Sequence, residues 1–312
     1  MPMTSYQRWM YQTSLALLVR SASGTAFQDF FSKVMEKRHG ADFLRVRAMG
    51  SLGDKGCDGY LQSTGCVFQC FGKTEDAALN VKTLVKKLND DYALASKHLG
   101  AIMKEWHFGH NLVNGVPIEF VMAVEALKTA NPQHVIGVIG PAGLEARVFE
   151  LDEGVLSDLL GPAATAEDGQ NLKMEEVAAL VASLMVSIDN APLPDGDPLE
   201  VPVDKLETNR LPPRWCGLIA GGMKNAPFVA DYLDNHPVPE TGKRLASEFN
   251  LRYRALKLEG LGPGETMDRL FEAITGIGSV SVSRQVAAVA LLAHLFESCD
   301  IFEDHRTKVA AA

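Results

Sequence analysis

The residues most able to do chemistry lie in one short stretch. Gly50-Ser-Leu-Gly-Asp-Lys-Gly-Cys-Asp-Gly59 is followed a few residues later by Val67-Phe-Gln-Cys-Phe71. Asp58 leads into one strand, and Gln69 sits in the next, close by across the hairpin. Metal-dependent phosphodiester cleavage needs this pattern. Oxygen ligands hold Mg2+, which activates water and neutralises the charge developing on phosphate. A structural reading stands beside it: Asp54 and Asp58 can shape the turn while its glycines supply positive φ.

Such residues need a frame. Residues 4–21 read as a helix and residues 25–38 as a second, with Phe27, Phe30, Phe31, Val34 and Met35 on one face at helical spacing. Three short strands follow over 43–47, 57–61 and 66–71, separated by turn residues. A long helix over 74–103, a strand near Trp106, a helix over 118–127 and a strand over 135–139 come next. That order predicts a central sheet with helices on its faces. After Leu160 the composition changes. Helices are expected over 174–188, 226–233, 244–258, 267–274 and 281–297, with 189–213 irregular. The chain therefore divides into an α/β domain, residues 1–160, and a mainly helical assembly or partner-binding domain, residues 161–312. The apolar run over 286–301 calls for burial in its own domain's core or against a partner or second copy.

Composition narrows the classes. Hydrophobic residues make up 46% and charged residues 22%, enough for a filled core. No apolar run reaches the ~20 residues of a membrane span, and residues 1–30 carry no secretion-signal pattern. A cytoplasmic protein is expected. The net charge of −9 is unevenly spread. Residues 1–115 hold 14 lysines and arginines against 10 acids, whereas residues 116–312 hold 16 against 29. A basic front and an acidic back fit a polyanion-facing domain joined to a partner-facing one, or uneven surface charge without function. Five cysteines, Cys57, Cys66, Cys70, Cys216 and Cys299, argue against a disulfide framework. The first three are read as buried thiols on strands, or as zinc ligands joined by His107 or His110. There is no P-loop, dinucleotide fingerprint or GxSxG elbow, so no nucleotide cofactor is expected.

Three motifs together resemble the PD-(D/E)xK nuclease superfamily, particularly its Mrr-like branch. Phe27-Gln28-Asp29 matches the helix start, Gly53-Asp54-Lys55-Gly56-Cys57-Asp58 the turn, and Phe68-Gln69-Cys70-Phe71 the last strand. The resemblance implies a restriction-endonuclease-like mixed sheet flanked by helices, acting on DNA with Mg2+ or Mn2+. It implies Asp58 and Gln69 as metal ligands, with Asp29 or Asp54 as the other carboxylate. Two positions depart from the pattern: Gln28 replaces the helix glutamate, and Phe71 replaces the lysine. Lys73 or Lys55 is expected to supply the missing ammonium. A degenerate nuclease-fold subunit that binds nucleic acid or acts as a scaffold is the alternative. Lys82 and Lys86 share a helix face, and Arg45 and Arg47 alternate along a strand, giving either a phosphate-contacting edge or a solvated one.

A longer pattern adds Trp106-His-Phe-Gly-His-Asn111 and Phe296-Glu-Ser-Cys-Asp-Ile-Phe-Glu303. With the turn and the Phe-Gln-Cys strand, it resembles proteins of bacterial three-component systems similar to Lamassu-type anti-phage defence. That resemblance implies an effector subunit working with an SMC- or ABC-type ATPase and a third subunit. Self-association is compatible with it. His107 and His110 read either as metal or phosphate ligands or as caps of backbone groups at a strand end.

Overall fold

The computed structural model describes residues 3–47, 54–75, 77–188, 205–276, 278–298 and 301–302. Residues 50–53 of the turn, 189–204 of the expected irregular stretch, and Cys299, Asp300 and Glu303 of the last motif lie outside them. The chain separates into two units, Leu15–Leu160 and Met1–Ser14 with Gly161–Ala312. The first fourteen residues thus group with the helical unit, although they adjoin the sheet unit in sequence.

The first unit contains the end of helix α1 (Ser5–Ser21), α2 (Gly24–His39), β1 (Phe43–Arg45), β2 (Gly59–Leu61) and β3 (Cys66–Phe71). Then come α3 (Val81–Leu99), β4 (Glu105–His110), α4 (Ile118–Ala130), β5 (Val135–Ile139), α5 (Pro141–Val148) and α6 (Glu153–Leu160). The strands form one sheet in sequence order. β1, β2 and β3 are an antiparallel meander, while β3, β4 and β5 run parallel. This is the mixed sheet that the alternation of elements predicts.

Each face is covered because strand residues alternate. Phe68 meets Phe31 of α2 at 5.7 Å between ring centres. On the other face Val67, Trp106 and Phe108 form a core with Leu84, Leu88, Tyr92, Phe120 and Val124 from α3 and α4. Trp106 and Phe108 have no exposed surface.

The expected helix over 74–103 begins later, at Val81, because Asn80 caps it by accepting the Thr83 N–H at 3.0 Å. Residues before the cap are held by other bonds. The Glu75 carboxylate pairs with Arg20 at 2.9 Å, and its N–H donates to the Arg20 carbonyl.

The second unit contains α7 (Ala166–Gln170), α8 (Met174–Ile188), α9 (Lys205–Thr208), α10 (Pro213–Met223), α11 (Ala226–Asp234), α12 (Thr241–Leu258), α13 (Pro263–Thr275) and α14 (Val282–Glu297). In α14 every residue from Gln285 to Phe296 except His294 is buried. Its alanines allow close approach: a Cβ on Gly222 of α10 would lie 2.6 Å from the Val289 carbonyl. The apolar run is therefore core of this unit, and its own helices supply the cover. Asp268 of α13, 2% exposed, accepts from Arg214 at 2.5 Å and from the Trp215 indole at 2.9 Å. The ammonium of Lys205, also 2% exposed, donates to the Phe296 and Ile301 carbonyls. Among the described residues no helix is long and apolar enough to cross a membrane.

Removing one member of a buried, hydrogen-bonded charge pair costs about 3–5 kcal/mol. Asp268→Ala should therefore lower the stability of the helical unit by about that amount in urea unfolding. A loss below about 1 kcal/mol would show that the pair is not what ties α10 to α13.

Candidate functional site

The last register pair between β2 and β3 is Gly59 with Phe68, yet β3 continues to Phe71. Beyond that pair a side chain replaces the missing strand. The Asp58 Oδ2 accepts the Cys70 N–H at 2.7 Å, and its Oδ1 accepts from the Gln28 side-chain amide at 2.5 Å. Asp58 is 3% exposed. Burial is the largest influence on its carboxyl and pushes its pKa up to about 7. The Cys70 N–H and the Lys87 ammonium pull it back, and the charges of Asp54 and Asp91 push it further up.

The turn before Asp58 determines which groups come near it. Asp54 Oδ1 accepts the Gly56 N–H at 2.9 Å, and Lys55 and Gly56 both have positive φ, 60° and 75°. Only glycine fits at 56, because a Cβ there would lie 2.3 Å from the Asp91 carbonyl of α3. This close seat brings the α3 residues Lys87 and Asp91 into the field of Asp58. Lys87 Nζ donates to Asp91 Oδ2 at 2.6 Å. Burial raises the Asp91 carboxyl above its usual range, and Lys87 opposes that shift.

Gln69 of β3 is 3% exposed. Its Oε1 is buried and has no hydrogen-bond partner among the described residues. An unmet buried acceptor one residue from the Cys70 N–H that Asp58 holds fits a hard cation at this place. Asp58 and Gln69 would offer such a cation oxygen, the donor it prefers.

The other candidates lie elsewhere. Asp29 pairs with Arg45, and its neighbour Gln28 is the residue that reaches Asp58. Lys73 is expected beside the nucleophile, but its ammonium donates to the Thr74 and Glu75 carbonyls at 2.8 and 3.3 Å. Lys55 stands in the turn, half-buried. Lys87 is the ammonium that acts on Asp58. The sequence places it beside Lys82 and Lys86 on a helix, and nothing local marks it out. Lys82 and Arg47 are exposed, and Lys86 forms an exposed pair with Asp90. At the strand end, Asn111 and His110 bind backbone groups. The Asn111 amide donates to the Val19, Ala22 and Lys73 carbonyls, and its Oδ1 accepts the Lys73 N–H. His110 Nδ1 accepts the Leu112 N–H, and burial lowers its pKa to about 4.

Residues 178–303 match the family model of C-terminal domain 10 of the ABC-three component (ABC-3C) systems. This domain belongs to anti-phage defence systems of several components, and the match supports a defence-complex subunit. It covers α8 partly and α9 to α14 fully, and it includes the Phe296–Glu303 motif. The sheet unit lies outside it. No curated protein and no solved structure matches the chain.

The Asp58 site makes stability depend on pH. Its folded pKa, about 7, lies above its ordinary value of 3.8. The folded state therefore holds the proton more tightly. The resulting stability is fully present below pH 3.8 and is lost as pH rises through about 7. Asp58→Asn should remove that decline, measured as the wild-type minus variant difference in urea midpoint with chelator present. An equal slope in both proteins across this window would exclude a buried, late-ionising Asp58.

Proposed function

We propose that this chain is the nuclease subunit of an ABC-three component defence complex, cutting DNA with Mg2+ at the Asp58 site. The observation that carries the reading is the buried Asp58 carboxylate beside the turn that seats on α3, where the charges of Lys87, Asp54 and Asp91 act on it. Asp58 and Gln69 would hold the cation. When bound, Mg2+ supplies a polarised water and neutralises charge on the phosphate. Lys87 takes the place left by Phe71: a compact positive charge on a long stem that orients a phosphate oxygen or water beside Asp58. Asp91 holds that ammonium through its hydrogen bond and keeps its charge in place. Gln28 orients the Asp58 carboxylate from the helix, an amide serving where the resemblance expects an acid. The exposed Arg47 and Lys82, with Arg45 and Lys86, suit contacts to the DNA backbone. The helical unit carries the ABC-three component domain, so docking to an SMC- or ABC-type ATPase and a third subunit is assigned to it.

A second reading rests on Asp58 itself. Its two oxygens already accept two hydrogen bonds, and it is nearly closed to solvent. That favours a nuclease fold retained for binding nucleic acid or for scaffolding the ATPase.

Supercoiled plasmid and Mg2+ incubated with the assembled complex separate the two. The nuclease reading expects nicking or linearisation that EDTA stops. Asp58→Asn and Lys87→Ala should each slow it at least about a hundredfold, with both variants folded and assembled. A complex that assembles and binds DNA but leaves the plasmid intact would establish the scaffold reading.

A further inference from the structure

A second group of ligand-type side chains lies away from Asp58, at the other end of β3. Cys66 opens β3, and in the parallel ladder it sits beside Glu105, the first residue of β4. His107 is two residues along β4, so its side chain leaves the sheet on the same face as that of Glu105. The Cys66 sulfur, a Glu105 oxygen and a His107 nitrogen all lie within 4.8 Å of one another. No other group of three such donors this close is found among the described residues. Four residues of strand, about 13 Å, separate Cys66 from Cys70 and the Asp58 carboxylate.

We propose that Cys66, Glu105 and His107 form a three-ligand site for a borderline transition cation, Zn2+ before all others. The donor set selects the metal. A thiolate and an imidazole favour zinc over Mg2+ or Ca2+, which prefer oxygen. A tetrahedral zinc set spaces its protein donors about 3.3–3.5 Å apart. His107 Nε2 and Glu105 Oε2 are already 3.4 Å apart.

The surroundings suit three ligands and one open position. Cys66 is 2% exposed, whereas the His107 and Glu105 side chains are 22% and 34% exposed, so the group opens to solvent on one side. The Cys66 thiol reaches only the Val67 carbonyl, at 3.9 Å, among the described residues. The neutral imidazole of His107 is the form with a lone pair for metal. Glycine at 137 leaves room for the ring: a Cβ there would lie 3.1 Å from His107 Nε2.

The opposing charge is Arg147 of α5, whose guanidinium acts on both the thiol and the imidazole. Binding must therefore be neutral at the site. Zn2+ displaces the Cys66 S–H proton to solvent, and the resulting thiolate with the Glu105 carboxylate balances the dication. His107 binds without releasing a proton, so one proton leaves per metal bound. The completed site would tie β3 to β4 near the start of their parallel pairing.

The test is Co2+ reconstitution of the full chain after chelator treatment. We expect a thiolate-to-cobalt charge-transfer band in the near ultraviolet and intensified visible bands of a tetrahedral ion, both bleached by one equivalent of Zn2+. Cys66→Ser should abolish the charge-transfer band. Glu105→Gln and His107→Ala, both at partly exposed positions, should weaken Co2+ binding at least about tenfold. Asp58→Asn should leave the spectrum unchanged, which separates this site from the proposed nuclease centre. A folded wild-type chain without the band at saturating Co2+ would overturn the proposal. So would a band that survives both Cys66→Ser and His107→Ala.

Discussion

The Asp58 carboxylate completes hydrogen bonding that the backbone of β2 leaves open on β3. β2 stops at Gly59 while β3 runs on to Phe71, and the Cys70 N–H needs an acceptor. Asp58 Oδ2 supplies it inside the protein, where an unmet donor would be costly. The cost is a negative charge held out of water. Gln28, the Cys70 N–H and Lys87 reduce that cost without removing it, which is why the group still ionises late. Other features of this end of the sheet follow from the same constraint. The turn must deliver Asp58 at one position, so it uses two left-handed residues, Lys55 and Gly56, with the glycine pressed on the α3 backbone.

That arrangement explains which residues could be found from sequence. Asp58, Asp54 and Gln69 are legible because the hairpin is local and its glycines and alternating apolar residues fix the register. The meander, α2 with its Phe27 to Met35 face, and β5 are legible for the same reason. Lys87 and Asp91 are not. Their place depends on how α3 packs under the turn, a contact between segments about thirty residues apart. Asp29 attracts attention as an acid, yet the helix turns Gln28 inward and leaves Asp29 to Arg45. Lys73 follows the strand closely, but the chain there is already bound to Asn111 and Arg20. In the helical unit, α10 is hidden by its proline and three glycines, residues that weaken a helix in isolation. Packing makes those glycines useful: Gly222 lets the α10 and α14 backbones approach, while Gly217 and Gly221 make room for the Trp9 and Tyr6 rings.

The helical unit has a different logic. Its central helix is buried around its whole girth, so the apolar run that could have been an outward face is structural. Its polar groups fix the positions of helices. Asp268 joins α10 to α13, Arg284 closes the end of α13 by donating to the Ile274 and Thr275 carbonyls, and Lys205 holds the end of α14. The family match falls on this well-braced unit, whereas the Asp58 site lies in the unit without a match.

The central claim is that the buried charge of Asp58 is there for a cation. Calorimetric titration of the full chain with Mg2+ tests it most directly, because it needs neither the partner subunits nor a DNA substrate. Proton and cation compete for the same carboxylate, so the account predicts one binding event that strengthens as pH rises through about 7 and disappears in Asp58→Asn. No heat of binding at pH 8 in a folded wild-type chain, or binding that persists in the variant, would contradict it.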